Sequence, residues 1–311
     1  MTALRHLFLI NPRAGRGTQV RRIYAMAEEL RRRHGESCDC LLTGGPGGAE
    51  RLARQAARSG EEVRLYACGG DGTLHEAVNG AAPFPNAAVT VIPCGTGNDL
   101  LKNFGADAAR FSDAENLWNG PDFPLDLIDC GGRYCLTIAC CGIDAAVAEG
   151  VHRFDRLPLL RGRGSYLASA AEQALLRPIA RRWTLALDGA EETGDYALAA
   201  LCNGRYYGGG SMPAPEARMD DGVLQAVVVR AVSRGQFLRL FGPYSAGNWR
   251  TLPPELIRVV PARTLTVRAE EDIVTCLDGE CARRREVTMG LAPVRLRFFG
   301  PAGCDPNATA R

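Results

Sequence analysis

Four short stretches carry acids where a chain usually needs only glycine. "CGGDGT" (68–73) sets Asp71 among glycines, "GTGND" (95–99) ends on Asp99, "MDDG" (219–222) holds Asp220 and Asp221, and "CLDGE" (276–280) puts Asp278 and Glu280 on either side of Gly279. Glycine lets backbone N–H groups approach a phosphate closely, and a succeeding helix N-terminus favours negative charge. Asp71 and Asp99 would repel a polyphosphate unless a divalent cation stood between them. Carboxylate oxygens suit Mg2+, which keeps several waters and few protein ligands. The alternative for Asp71 is to cap the helix that begins near Thr73. In an extended segment Asp278 and Glu280 would share one side, with Gly279 leaving room for a ligand. Read as a β-turn, the same residues would be two solvated acids. Asp220, Asp221 and Gly222 read on their own as a turn before a strand.

The elements that must position these residues change character near Pro121. Before it, "RHLFLINP", "CDCLLTGG", "VRLYACGG" and "AVTVIPCG" read as strands. Helical patterns alternate with them: Val20, Ile23, Tyr24, Ala27 and Leu30 recur at helical spacing, and "GGAERLARQAARSG", "TLHEAVNGA" and "NDLLKNFG" come after the later strands. Alternation of this kind predicts a parallel sheet with helical crossovers. Parallel strands end on one edge, and these four run into the turns "NPRAGRG", "TGGPGG", "GGDGT" and "PCGTGND". Four glycine-rich turns on one edge predict a phosphate site. Neither GxxxxGK[ST] nor GxGxxG is present, so its design is a different one.

After Pro121, "LDLIDCGGRYCLTIACCG" reads as two strands across a Gly-Gly turn, and "DAAVAEGVHRF" and "YLASAAEQALLR" as helices. From "RRWTLALDG" onward short strands dominate, interrupted by the helix "SRGQFLRLFGPYSAG", which predicts an antiparallel sandwich or barrel. The expected division is a nucleotide-binding α/β domain over 1–124 and a β-sandwich substrate domain over 125–296, with 297–311 returning to the first. A cleft between the two is the expected place for a ligand.

The 311 residues suffice for two domains with sizeable cores. With 46% hydrophobic and 23% charged residues the composition is that of a globular protein, and a net charge of +2 gives no footprint for nucleic acid. Lys102 is the only lysine, so the positive charge is nearly all arginine, which suits phosphate contacts. No apolar run reaches the ~18 residues of a membrane span, and "MTALRH" leads straight into a strand without a signal-peptide core. A cytoplasmic location is expected, with peripheral contact at the inner membrane face left open. The 12 cysteines include no CxxC pair and read as reduced, small hydrophobes. His75 reads as a helix-surface residue and "PAGCDPNATAR" as a loose tail.

"GGDGTLHEAVNG" and "PCGTGNDLLKNFG" resemble the nucleotide-binding motifs of the diacylglycerol kinase catalytic domain, shared with sphingosine and ceramide kinases and distantly with NAD kinases. The similarity is greatest to the soluble bacterial lipid kinases. It extends through "NPRAGRG", "CGIDAAV", "CNGRYYGGGSMPAPEARMDDGVLQAVVV" and "CLDGE", nearly the whole chain. It implies an ATP- and Mg2+-dependent lipid kinase acting on a hydroxyl of diacylglycerol or a related lipid. Asn11, Pro12, Gly15, Thr43, Gly69, Gly70, Asp71, Gly72, Thr73, Glu76, Gly95, Thr96, Gly97 and Asn98 would line the ATP site, with Asp71 and Asp99 toward the metal. The resemblance makes Glu280 the general base with Asp278 its partner near the metal. It places a second, structural Mg2+ on the Asp221 side chain and the backbone carbonyls near Arg218 and Val223. Arg13 and Arg16 in the first turn are departures from the family pattern. The expected partner is a lipid at a membrane surface, with no nucleic acid, no transmembrane segment and a homodimer left open. "VHRFDRLPLLRGRGSYL", with Phe154, Leu157, Leu159 and Leu160 among arginines, would either rest on anionic lipid or pack as a loop on the sandwich. The alternatives to a lipid kinase are an NAD kinase, which shares "GGDGT", and a nucleotide-binding regulator without turnover.

Overall fold

The computed structural model describes residues 4–95, 98–154 and 163–308, apart from a few side chains within those ranges, Arg16 among them. The chain divides into two compact units, residues 1–126 with 293–311, and residues 127–292.

In the first unit, strands and helices alternate: β1 (Arg5–Ile10), α1 (Gln19–His34), β2 (Ser37–Leu42), α2 (Gly48–Ala57), β3 (Val63–Gly69), α3 (Asp71–Ala81), β4 (Ala87–Pro93), α4 (Asp99–Lys102), α5 (Ala114–Trp118) and β5 (Asp122–Leu125). The sheet order is β2-β1-β3-β4, all parallel, continued by a strand from the end of the chain, Leu296–Phe299, and then by β5. The order turns back at β1 and β3, the switch point beyond whose carboxyl ends open α/β sheets bind ligands. The buried side chains track the apolar runs: Leu7 to Ile10 on β1 and Leu65 to Cys68 on β3 are almost wholly enclosed, as a sheet covered on both faces requires. Phe8 stacks on Tyr66 at 4.2 Å, and Phe299 meets Tyr66 edge-on.

His75 and the chain end differ from what the sequence predicts. His75 is buried, 2% exposed, because α2 closes on α3: a Cβ at Gly80 would lie 2.4 Å from the Glu50 carbonyl oxygen. The expected loose tail is folded back through residue 308, with Pro301 and Pro306 buried and the Ala302 carbonyl accepting from Arg110 at 3.0 Å.

The second unit contains β6 (Ile128–Asp129), β7 (Tyr134–Cys135), β8 (Ile138–Gly142), α6 (Ile143–Phe154), α7 (Arg163–Leu176), β9 (Arg181–Leu187), β10 (Ala190–Cys202), β11 (Leu224–Arg230), α8 (Arg234–Ser245), β12 (Ile257–Ala262), β13 (Thr264–Leu277) and β14 (Glu280–Leu291); β15 is the returning strand Leu296–Phe299. Every pairing in this unit is antiparallel, in the order β12-β11-β10-β8-β13-β14-β6-β7, with β9 joined to both β10 and β13. β10 and β13 each change register once and change neighbour there. Bulges of this kind bend a sheet and let one strand serve two neighbours. α8 starts at a capping box in which Ser233 accepts from the Gln236 amide N–H and the Gln236 side chain accepts from the Ser233 N–H. All twelve cysteines are free and most are buried, as small hydrophobes should be. Among the described residues no helix is long and apolar enough to cross a membrane. Leu157, Leu159 and Leu160 of the expected membrane patch lie outside the described residues.

Candidate active site

The turns after β1, β2, β3 and β4 are tied to one another. The Asn11 amide donates to the Thr73 hydroxyl at 3.0 Å, and its carbonyl accepts from the Arg13 N–H at 3.0 Å. The Cys94 N–H donates to the Gly69 carbonyl at 2.9 Å. Two glycines are needed for close approach. A Cβ at Gly69 would stand 2.2 Å from the Thr73 hydroxyl, and one at Gly15 would stand 2.6 Å from the Cys94 carbonyl with φ at +56°. Gly70 differs: nothing lies within 4 Å of where its Cβ would be, so its backbone borders open space. Thr73 is buried and Pro12 half-buried in this cluster. Thr96 and Gly97 lie outside the described residues.

Asp71 is the bracket across this edge. Its two carboxylate oxygens accept from the backbone N–H of Asn98 at 2.7 Å and of Asp99 at 2.9 Å. It therefore caps α4, the next helix along the edge, rather than the helix it begins. Asp99 forms an ion pair with Lys102 one turn on. Glu76 acts likewise on the neighbouring turn, accepting from Gly47 N–H at 2.7 Å and Ala49 N–H at 2.9 Å at the start of α2. Thr43 is buried in that turn, its N–H bonded to the Ile10 carbonyl at 3.0 Å. Gly72 stands in the first turn of α3. The described nucleotide residues of the first unit thus form one braced edge, held by side-chain and backbone bonds.

In the second unit "CLDGE" is a hairpin, and the extended reading fails. Asp278 (φ 48°) and Gly279 (φ 97°) are its two turn residues, the conformation for which Asp-Gly is preferred. The turned backbone aims the Asp278 carboxylate at the chain entering β8. There it accepts from the N–H groups of Leu136, Thr137 (3.0 Å) and Ile138 (3.0 Å) and from the Thr137 hydroxyl (2.6 Å). Asp278 is thereby also not one of two solvated acids. Glu280 opens β14 and is exposed, and its carboxylate has no hydrogen-bond or ion-pair partner among the described residues.

The Asp221 carboxylate accepts from the Val223 N–H at 3.0 Å, closing the turn before β11, while Arg218 faces Asp220 at 3.6 Å. Among the described residues no group of three or more His, Cys, Asp or Glu is placed to hold a metal alone. Asp71 and Asp99 are hard oxygen donors of the kind that bind Mg2+ together with phosphates and waters.

Two buried acids were not among the expected site residues, although Asp144 lies in the motif "CGIDAAV". Asp126, 3% exposed, accepts from Arg295 at 2.7 Å. Asp144, in the first turn of α6, receives the hydroxyls of Tyr207 and of Tyr244 (3.1 Å). Burial pushes its pKa up to about 7, against the opposing bond from Tyr244. It borders a narrow void of about 50 Å³ under α8, otherwise apolar, among whose walls are Ile143, Leu198, Val229, Phe237 and Phe241.

Residues 5–130 match the diacylglycerol kinase catalytic domain, and residues 137–300 match the YegS C-terminal NAD kinase beta sandwich-like domain. A diacylglycerol kinase of Mycobacterium tuberculosis is 30% identical over 94% of each chain. A Shewanella frigidimarina protein named "Probable lipid kinase YegS-like" is 30% identical over 78% of this chain and 77% of its own. The crystal structure of a diacylglycerol kinase from Bacillus anthracis shares the fold, with a TM-score of 0.68 at 19% identity over 95% of this chain and 96% of that one. The chain therefore belongs to the family of diacylglycerol kinases and YegS-like lipid kinases, enzymes that draw a phosphoryl group from a nucleotide.

Proposed function

We propose that this protein transfers the γ-phosphoryl group of ATP to a hydroxyl of diacylglycerol or a related lipid. The observation that carries the lipid reading is the apolar void beneath α8, which suits a hydrocarbon chain and offers a dinucleotide almost nothing to bond. As it stands the void is narrower than an acyl chain, so α8 must yield. Its interior Pro243 lacks the N–H of a regular helix and makes bending there cheap.

In this reading the braced edge holds ATP. Backbone N–H groups around Gly69, Gly70, Gly72 and Gly95 approach the phosphates, with Asn11, Pro12, Gly15, Thr43, Thr73 and Asn98 shaping the rim and Glu76 keeping the β2 turn in place. Asp71 and Asp99 would hold Mg2+ with the phosphates. A structural Mg2+ would sit on Asp221 and the Arg218 and Val223 carbonyls. Bound Mg2+ neutralises charge on the transferring group. Glu280 takes the proton of the acceptor hydroxyl, since it is exposed and unpaired. Asp278 fixes the hairpin that aims it. Contact with the inner membrane face would be peripheral.

The test is transfer of label from γ-labelled ATP with Mg2+ to micellar diacylglycerol, other lipid alcohols and NAD. Label in a lipid alone supports the reading. Label in NAD alone replaces it with an NAD kinase. ATP binding without any labelled product in the presence of these acceptors points to a regulator.

A further inference from the structure

The helix "YLASAAEQALLR" takes no part in the phosphate turns or in the void under α8. Its last turn faces a second cavity within residues 127–292, of about 400 Å³. That lies within the range of roughly 300–1,000 Å³ typical of small-molecule sites. The cavity arises from the strand switch. β13 pairs with β9 up to Arg268 and with β8 only from Thr275, so residues 269–274 have neither neighbour on that side. α6 and the end of α7 stand over the gap. Ile143, Ala146, Ile179, Trp183 and Ile273 give it apolar walls.

The charges around it are nearly all paired. Arg283 bonds Glu149 at 2.8 Å, Arg181 bonds Glu271 at 2.8 Å, and Arg285 faces Asp272 at 3.5 Å. Arg177 lines the cavity and has no ion-pair partner among the described residues. One helical turn earlier, Gln173 also lines it, only 9% exposed, and its side-chain amide has no hydrogen-bond partner among the described residues. Residues four apart on a helix lie side by side, so a guanidinium and a side-chain amide face the same space. A bound carboxylate or phosphate oxygen would accept from both.

We propose that this cavity is a binding site for a small amphipathic anion, a carboxylate or phosphate monoester with an apolar body. The head group bonds Arg177 and Gln173, and the body lies against Ile143, Ile179, Trp183 and Ile273. A planar guanidinium suits either head group. The site does not depend on phosphoryl transfer and stands apart from the kinase reading.

The experiment monitors the Trp183 indole N–H resonance of the full chain, identified as the signal lost in Trp183→Phe, during titration with octanoate, octyl phosphate, octanol and inorganic phosphate. Both amphipathic anions should shift it saturably, with octanol and inorganic phosphate at least about tenfold weaker. Arg177→Ala, an exposed position whose change should leave the melting temperature in place, should weaken both anions by about tenfold or more. Gln173→Leu should weaken them less. The proposal fails if neither anion shifts the resonance, if octanol binds as tightly, or if Arg177→Ala leaves the affinities unchanged.

Discussion

The second unit builds the same turn twice. Asp188-Gly189 joins β9 to β10 with φ of 47° and 87°, and Asp278-Gly279 joins β13 to β14 with φ of 48° and 97°. In both, the left-handed aspartate turns its carboxylate onto the backbone of another segment. Asp188 accepts from the N–H groups of Arg263 and Thr264, at 2.9 and 2.7 Å, where β13 begins. Asp278 accepts from Leu136, Thr137 and Ile138 where β8 begins. The aspartate is thus a construction device in each, and chemistry has to come from the residue just past the turn. After the first turn stands Ala190; after the second stands Glu280, exposed and unpaired. The motif "LDGE" owes its fold to the aspartate and, in our reading, its activity to the glutamate.

The largest expected effect that sharpens this comparison is on stability. Asp278→Ala leaves three N–H groups and a hydroxyl without their acceptor and puts alanine at positive φ. It should cost about 2–4 kcal/mol in urea unfolding. Asp188→Ala, at an exposed turn, should cost only about 1 kcal/mol. Equal losses would break the analogy between the turns.

Asp144 should impose a pH dependence of opposite sign to the usual carboxylate. Its folded pKa is raised to about 7, so between pH 4 and 7 the unfolded chain has lost this proton while the folded one keeps it. Stability should therefore fall as pH rises through that window, by up to about 1.4 kcal/mol per pH unit from this group. Asp144→Asn should flatten the profile, as read from urea midpoints at pH 4.5, 5.5 and 6.5. Asp188 behaves in the ordinary way. Burial raises its pKa, but the Thr264 and Arg263 N–H groups outweigh that and hold it below the usual value. Its contribution is present above pH 4 and lost as pH falls, a slope that Asp188→Asn should remove. An effect as small as that of Asp188→Ala concerns α8. Ser233→Ala breaks the capping box and should cost about 1 kcal/mol in thermal or urea unfolding.

The alternation of strand and helix made the first unit legible, because apolar runs at fixed spacing report burial directly. The four glycine turns were legible for the same reason, since parallel strands must end on one edge. The use of each carboxylate was not. Asp71, Glu76 and Asp278 take partners 27–28, 27–29 and 140–142 positions away, and nothing local in "GGDGT" or "CLDGE" encodes those distances. His75 sits on a helix whose polar look suggested solvent, but Gly80 brings α2 close enough to enclose it. The neighbour switch of β13, which opens the second cavity, depends on register, to which a period-two pattern is blind.

The most direct measurement sets Glu280→Gln beside Asp278→Asn in steady-state phosphoryl transfer to diacylglycerol micelles, with urea unfolding of both. The account predicts that Glu280→Gln lowers kcat by about 10²–10⁴ at unchanged stability. It predicts that Asp278→Asn loses stability while the folded fraction keeps most of its turnover. A Glu280→Gln enzyme with parental kcat, or an Asp278→Asn protein that is stable but inactive, would contradict it.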